Sequence, residues 1–321
     1  KRLFSPFQMV TNLYGIPKYR EIDPTPLIAP FFALSFGICL TDAGYGVVVT
    51  VLSILLARKF ATNEGAKQLF KTLFLAGIAT IIVGTLTAGW FGVSAEKLPE
   101  ILIKLRILDV RDKQTTFLLS ILVFGYMQIW LGYVVKTYLD IRARNWTGAF
   151  LCQTPWLIVM TGTPPFIATY GKLSSEMRLS ISVLFVACCI LVIAFSDQQS
   201  KSIVGRIGSG LFEIYSRISG SFGDTLSYSR LFALGLATGI IAEIVNTIAS
   251  MTWRMPYLGK IVTIGILIGG HLFNILINAL GGFIHSARLQ FVEFFTKFYE
   301  GGGEKFKPFK RERLYTVVTG M

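Results

Sequence analysis

Charge is what this chain has least of: only 15% of its 321 residues are Asp, Glu, Lys or Arg, against about 25% in a soluble globular domain. With 53% hydrophobic residues and a mean hydropathy of +0.60, that shortage excludes an ordinary soluble enzyme. Histidine is nearly missing, and two residues leave little for a metal centre. The four cysteines, Cys39, Cys152, Cys188 and Cys189, all fall inside apolar runs without zinc or disulfide spacing, and read as core packing. No G-x-x-x-x-G-K-S/T phosphate loop, H-E-x-x-H or G-x-S-x-G occurs, so the sequence offers no site for nucleotide hydrolysis or nucleophilic catalysis, and no cofactor is expected. Acidic residues number 18 against 31 basic, a net charge of +13, yet no nucleic-acid motif accompanies the excess. Disorder is excluded by 26 Phe, 12 Tyr and 5 Trp.

What is present is apolar length. Runs near the 20 residues that a helix needs to cross roughly 30 Å of hydrocarbon occupy 27–57, 69–92, 115–138, 149–170, 178–195, 207–250 and 261–297. The last two are too long for one upright crossing, which predicts tilt or protrusion from the bilayer. The run 27–57 is also too long, and charge decides how to read it. Taken as one helix it places Lys18 and Arg20 opposite Lys305, Lys307, Lys310, Arg311 and Arg313, against the positive-inside rule. A break at Asp42-Ala-Gly-Tyr-Gly46 removes the conflict, because such backbone is tolerated in lipid only where protein or water satisfies it.

The expectation is therefore an all-α polytopic membrane protein of about eight transmembrane helices. Both ends and the basic segments 58–71, 139–148 and 196–206 then lie in the cytoplasm, and the mixed-charge loop 93–114 lies opposite. Residues 1–26 read as an amphipathic lead-in from a missing cytoplasmic N-terminal domain, 27–200 as helices one to six, 201–300 as two long tilted helices, and 301–321 as a basic cytoplasmic tail. Each half of 27–57 is short, so a re-entrant pair is the alternative to two crossings. The pairs Gly235/Gly239 and Gly265/Gly269 would permit close helix approach.

The chemistry must then lie with polar groups inside the membrane, which are costly there. Arg230, preceded by Ser227, Tyr228 and Ser229, and Arg288, three residues after His285, are the candidates. Each alone could be an interfacial arginine snorkelling to headgroups. On the last helix His271, Asn274, Asn278, Gly281, His285 and Arg288 recur at spacings of three and four, which puts them on one face. That stripe reads as either a helix–helix hydrogen-bond seam or an ion path. Glu243, Asn246, Thr247 and Ser250 form a shorter cluster on the preceding helix, either a solvated end or a channel mouth. Asp42 and Asp224 read as structural, Asp224 pairing with a basic residue or capping a helix.

Around these residues the sequence resembles the membrane half of the large stator subunit of rotary V-type and A-type ATPases, subunit a or subunit I. The segments that carry the likeness are Tyr14-Gly-Ile-Pro-Lys-Tyr-Arg-Glu-Ile-Asp-Pro-Thr-Pro26, Asp42-Ala-Gly-Tyr-Gly46 and Ser227-Tyr-Ser-Arg-Leu-Phe-Ala-Leu234, with His285-Ser-Ala-Arg-Leu-Gln-Phe-Val-Glu293 and the tail Tyr299-Glu-Gly-Gly-Gly303. The resemblance implies eight helices, the last two lying against a proteolipid c/K ring, and partners among the central-stalk and peripheral-stalk subunits besides membrane lipid. It carries the family's functional arginines onto Arg230 and Arg288. Eukaryotic members have histidine where Thr238 stands and glutamate where Asn278 stands, so the type is prokaryotic and the implied location is the plasma membrane. Helical spacing then suggests His271, Asn274 and Asn278, with Glu243 and Asn246 opposite, for an outer half-channel, and Ser227, Tyr228 and the His285 side for an inner one; Thr238 is a further candidate for the half-channel lining. A stand-alone secondary transporter or channel would share the composition, and a membrane scaffold would use the stripe as a seam.

Overall fold

Runs of Leu, Ile, Val, Ala and Phe fold as helix because a backbone without water must satisfy its N–H and C=O groups within its own segment. The computed structural model describes residues 4–18, 21–60, 64–93, 99–108, 110, 113–195, 203–253, 255–256 and 258–303. Among these the chain is all-α, and the one β feature is an isolated bridge between Ile16 and Gly303. The tail beyond Gly303, Lys1, Arg2, Arg20 and the centre of loop 93–114 lie outside the described residues.

The helices are α1 (Gln8–Tyr14), α2 (Thr25–Leu40), α3 (Ala43–Lys59), α4 (Glu64–Leu86), α5 (Glu100–Leu105), α6 (Gln114–Arg142), α7 (Thr154–Thr169), α8 (Ser175–Phe195), α9 (Ile203–Ser227), α10 (Ser229–Trp253) and α11 (Gly259–Arg288). Five stretches are long and apolar enough to cross a membrane: Gly65–Leu86, Gln114–Arg142, Ser175–Phe195, Ile207–Trp253 and Gly259–Lys297. The expected eight would also require α2, α3 and α7, of 16, 17 and 16 residues.

The run 27–57 breaks where the sequence indicated. Thr41 adopts a left-handed φ of 45°, and its N–H returns to the Gly37 carbonyl at 2.9 Å. Asp42 then caps α3, one carboxylate oxygen accepting from the Tyr45 N–H at 3.0 Å and the other from the Gly92 N–H at 3.2 Å. A buried carboxylate holding two backbone donors fixes a turn without water. The two halves run in opposite directions along α4. Gly37 meets Ala79 and Thr80 while Thr41 meets Thr87, so α2 is parallel to α4; Ala43 meets Gly84 and Gly46 meets Gly77, so α3 is antiparallel. Glycines on both sides let the break pack against α4: a Cβ on Gly84 of α4 would stand 2.2 Å from the Ala43 nitrogen, and one on Gly46 2.8 Å from the Ile81 nitrogen.

The last two runs form an antiparallel pair, α10 with α11. The 207–250 run is interrupted for one residue at Tyr228, between α9 and α10, whose ring fills the space over Gly125 of α6. Helix α11 leaves α geometry through a π turn, Leu289–Phe294, and a tighter 3₁₀ turn, Phe295–Lys297; π turns are frequent at functional sites. Of the two Gly-x-x-x-Gly pairs, only Gly235 makes a close approach, such that a Cβ there would stand 2.5 Å from the Ile38 carbonyl oxygen, whereas Gly239, Gly265 and Gly269 face open space.

The lead-in is clasped to the end of α11. Tyr14 packs among Phe291, Phe295 and Tyr299, with centroids 5.1 to 5.8 Å away. The Tyr299 hydroxyl donates to the Gly15 carbonyl at 2.8 Å, the Gly303 N–H to the Ile16 carbonyl at 2.7 Å, and Lys18 pairs with Glu300 at 2.7 Å. Burial pushes the Tyr299 phenol up to about 12, so it keeps the proton that it donates. Gly301 and Gly302 carry φ of 68° and 85°, a conformation that side chains rarely adopt, and a Cβ on Gly303 would stand 2.3 Å from the Pro17 carbonyl oxygen, which together account for the glycine triplet.

Candidate functional site

Two polar assemblies lie along the α10–α11 pair. Towards the α2–α3 turn, Asn278 donates to Asn274, and the Asn274 amide donates to the Tyr45 hydroxyl at 2.9 Å and the Thr238 carbonyl at 3.1 Å. With that oxygen accepting, the Tyr45 proton goes to His271 Nδ1 at 2.7 Å, which leaves Nε2–H to donate to Asn246 Oδ1 at 3.1 Å. Asn246 passes the chain to the Phe91 carbonyl at 2.6 Å. The Thr238 hydroxyl bridges to the Cys39 and Leu234 carbonyls. The stripe thus forms a hydrogen-bond seam joining α2, α3, α10 and α11, with Asn274, Asn278 and Thr238 buried. Glu243 stays exposed, three residues before Asn246.

Nearer the clasp, Arg230, at the second residue of α10, lies within electrostatic reach of His285, which also feels Arg288. Arg230 is half-buried, and its Nη1 is fully buried with no hydrogen-bond partner. The same is true of His285 Nδ1, Ser286 Oγ, Gln290 Nε2 and Glu293 Oε2, a concentration of unpaired polar atoms on the last turns of α11. Arg288 is exposed on the outer face. Tyr228, fully buried, donates to Gln128 Oε1 at 2.8 Å, and Gln128 donates to Gln290 Oε1 at 2.6 Å, so it forms a wall of this cluster. Ser227 spends its hydroxyl proton on the Gly223 carbonyl at 3.1 Å.

Beside this cluster opens a polar cavity of about 280 Å³ between α6, α9 and the end of α11. Lys136, Gln153, Glu213, Arg217, Asp224 and Lys297 line it. Arg217 pairs with Glu213 at 2.7 Å and Lys297 with Asp224, the basic partner foreseen for that aspartate. The Lys297 ammonium also sits 5.7 Å from the Tyr133 ring centre, a further stabilisation of its charge.

The structure therefore brings Arg230, His285 and Arg288 together at one level, and His271, Asn274, Asn278, Thr238 and Asn246 at another. The residues between are apolar or glycine: Leu231 to Ala237 on α10 and Ala279 to Ile284 on α11. From Asn278 to His285 the rise is about 10 Å. Sequence reasoning missed Gln128, Gln290, Glu293 and Lys297 as members of the cluster. The signal was available: Ser286, Gln290, Glu293 and Lys297 recur at spacings of four, three and four, and Gln128 is a lone amide in an apolar run.

Fold and site together define a polytopic membrane protein that holds arginines and a carboxylate within its apolar helices. The chain belongs to the V-type ATPase 116kDa subunit family, whose model matches residues 2–96 and 218–311. It is 35% identical over 344 residues to the A-type ATP synthase subunit I of Methanocaldococcus jannaschii, covering 99% of this chain and 49% of the relative. To the A-type ATP synthase subunit I of Pyrococcus abyssi it is 36% identical over 318 residues, 96% of this chain and 46% of the relative. A V-type ATP synthase subunit I of Borreliella burgdorferi is 28% identical over 315 residues, 93% of this chain and 51% of the relative. The chain thus spans about half the length of the curated relatives it matches.

Proposed function

We propose that this chain is the ion-conducting membrane part of the stator of a rotary V/A-type ATPase. It has eight crossings and two half-channels that end against a proteolipid ring and do not meet. The observation that carries the reading is the separation of the two polar assemblies along α10–α11 by apolar and glycine residues over about 10 Å. A single continuous pore would have polar residues in that interval. In this reading the seam of His271, Asn274, Asn278, Thr238 and Asn246, with Glu243 at its mouth, borders the outer half-channel, and Ser227, Tyr228 and His285 border the inner one.

Arg230 and Arg288 act on the ring. A cation about 4 Å from a ring carboxylate is worth roughly 4 kcal/mol at an effective dielectric of 20, which lowers that carboxylate's pKa by about three units. The passing site releases its ion there, and the fixed charges repel an ion that would cross directly. Arginine suits the task because it stays charged when partly desolvated. The chain itself hydrolyses nothing, consistent with relatives that are subunits of ATP synthases. The remaining partners are the ring, the central-stalk and peripheral-stalk subunits, lipid and a cytoplasmic N-terminal domain. Both ends of this segment face the cytoplasm of a prokaryotic cell, and the membrane is its plasma membrane.

The test is ATP-driven ion uptake into vesicles holding the complete complex, wild type against Arg230→Ala, with ATP hydrolysis recorded in the same preparation. Uptake lost from an assembled complex supports the reading. Undiminished uptake returns Arg230 to the snorkelling role, and transport by this chain without a ring points to a stand-alone transporter.

A further inference from the structure

Behind the polar cavity between α6, α9 and the end of α11, Glu293 interacts electrostatically both with Asp224 of the cavity wall and with Arg230 of the unpaired cluster. It is 2% exposed, and its Oε2 has no hydrogen-bond partner. Leaving a carboxylate oxygen buried and unpaired is expensive, and a purely structural carboxylate would have been held as Asp42 is, by donors on both oxygens. On the cavity side Glu293 feels Asp224, itself paired with Lys297 on the cavity wall, and on the other side it feels Arg230. The Ser227 hydroxyl is within its reach, though its proton is committed to Gly223. The π turn Leu289–Phe294 contains Glu293 together with Gln290, whose Nε2 is also buried and unpaired.

We propose that Glu293 is the proton relay of the inner path: it takes a proton from water in the Asp224–Lys297 cavity and yields it towards the ring site beside Arg230. The inference rests on the stator reading above. An O–H bond forms on Oε2 as one breaks on a hydronium ion in the cavity, leaving water, and the carboxylate is regenerated when that O–H bond breaks as one forms on the ring carboxylate, so one proton moves and no electron does. The surroundings suit a proton and not a bare metal cation. Arg230, Lys297 and the Gln290 amide present positive charge or N–H donors, and among the described residues of this cluster Glu293 Oε2 is the buried carboxylate oxygen with neither a hydrogen bond nor an ion pair. A sodium ion needs several oxygen ligands at once, whereas a proton needs one.

The experiment uses the assembled complex in sealed vesicles. It compares wild type, Glu293→Gln, Glu293→Asp and Arg230→Ala, with ATP-driven acidification, ²²Na⁺ uptake and copurifying subunits measured on each. Glu293→Gln keeps the shape and removes the exchangeable proton. Acidification is expected to fall by about 10²-fold or more, as for loss of a positioned acid–base group, with assembly intact and substantial recovery in Glu293→Asp. Acidification that survives Glu293→Gln but not Arg230→Ala overturns the relay and leaves the stator reading standing. Acidification that survives both removes the stator reading itself. Wild-type vesicles that accumulate ²²Na⁺ without acidification overturn the proton assignment. A Glu293→Gln complex that does not assemble, while Glu293→Asp assembles and pumps at the wild-type rate, makes the residue structural and also overturns the relay.

Discussion

The Tyr45 hydroxyl stands 2.7 Å from Nδ1 of His271, joining the first residues of α3 to a helix more than two hundred residues later. One hydroxyl there accepts from Asn274 and donates to the imidazole, so it sets both the histidine tautomer and the direction of the hydrogen-bond chain that ends at Phe91.

Removing that oxygen in Tyr45→Phe leaves one Asn274 N–H and His271 Nδ1 without their partner, while the Asn274 bond to the Thr238 carbonyl remains. Loss of stability of about 1–3 kcal/mol is expected for an unsatisfied buried group. Thermal unfolding of the detergent-solubilised protein measures it, and an unchanged midpoint would show that the seam contributes no stability.

The α2–α3 turn depends on the absence of a side chain at Gly84. In Gly84→Ala the new Cβ meets the Ala43 nitrogen at 2.2 Å and the Asp42 carbonyl carbon at 2.6 Å, both backbone atoms that cannot rotate away. Overpacking of this kind costs about 1–3 kcal/mol. Gly265→Ala, where the Cβ meets nothing, is the control and should unfold at the wild-type temperature.

The Lys18–Glu300 pair tethers the lead-in to the end of α11, and its pH range follows from the shifts. The hydrogen bond to Lys18 holds the Glu300 carboxyl below its ordinary 4.5, so the tether is complete above that pH and weakens as pH falls through the depressed value. The hydrogen bond to Glu300 raises Lys18 above its ordinary 10.5, so the contribution is complete below 10.5 and disappears as pH rises through the raised value. Both side chains are exposed, so the effect is local. Amide exchange at Gly15, Ile16 and Lys18 should be flat across neutral pH and quicken at both extremes beyond the intrinsic trend. Glu300→Gln should quicken it at neutral pH, and no change in that variant would remove the tether's role.

The outer half-channel assignment is tested by alanine at Asn274, Asn278 and Glu243 together. Ion uptake per assembled complex should fall well below wild type while Arg230 and Glu293 remain in place. Uptake at the wild-type level would confine these residues to the seam.

Some of this was legible without coordinates, and particular residues show why. The break at Asp42 was readable because a carboxylate and two glycines inside an apolar run have few physical explanations. The stripe from His271 to Arg288 was readable because helical spacing is a property of the chain alone. Whether the stripe was a seam was not readable, since that depends on Tyr45, Thr238 and Asn246 meeting it from other helices. Glu293 was passed over because one Glu near the end of a run looks like an interfacial charge, and only burial distinguishes it.

The sequence by itself determined that this is a helical membrane protein of the V-type ATPase 116kDa subunit family, with Arg230 and Arg288 beside long apolar runs. Composition, run length and local spacing are set by covalent order, and they need no partner. Only the tertiary structure decided that α2 and α3 run in opposite directions along α4, that Lys297 answers Asp224, and that the polar groups separate into two assemblies with apolar residues between. Those facts arise from which helix faces which, and in an apolar environment that choice is made by glycine contacts and buried hydrogen bonds between segments far apart in the chain.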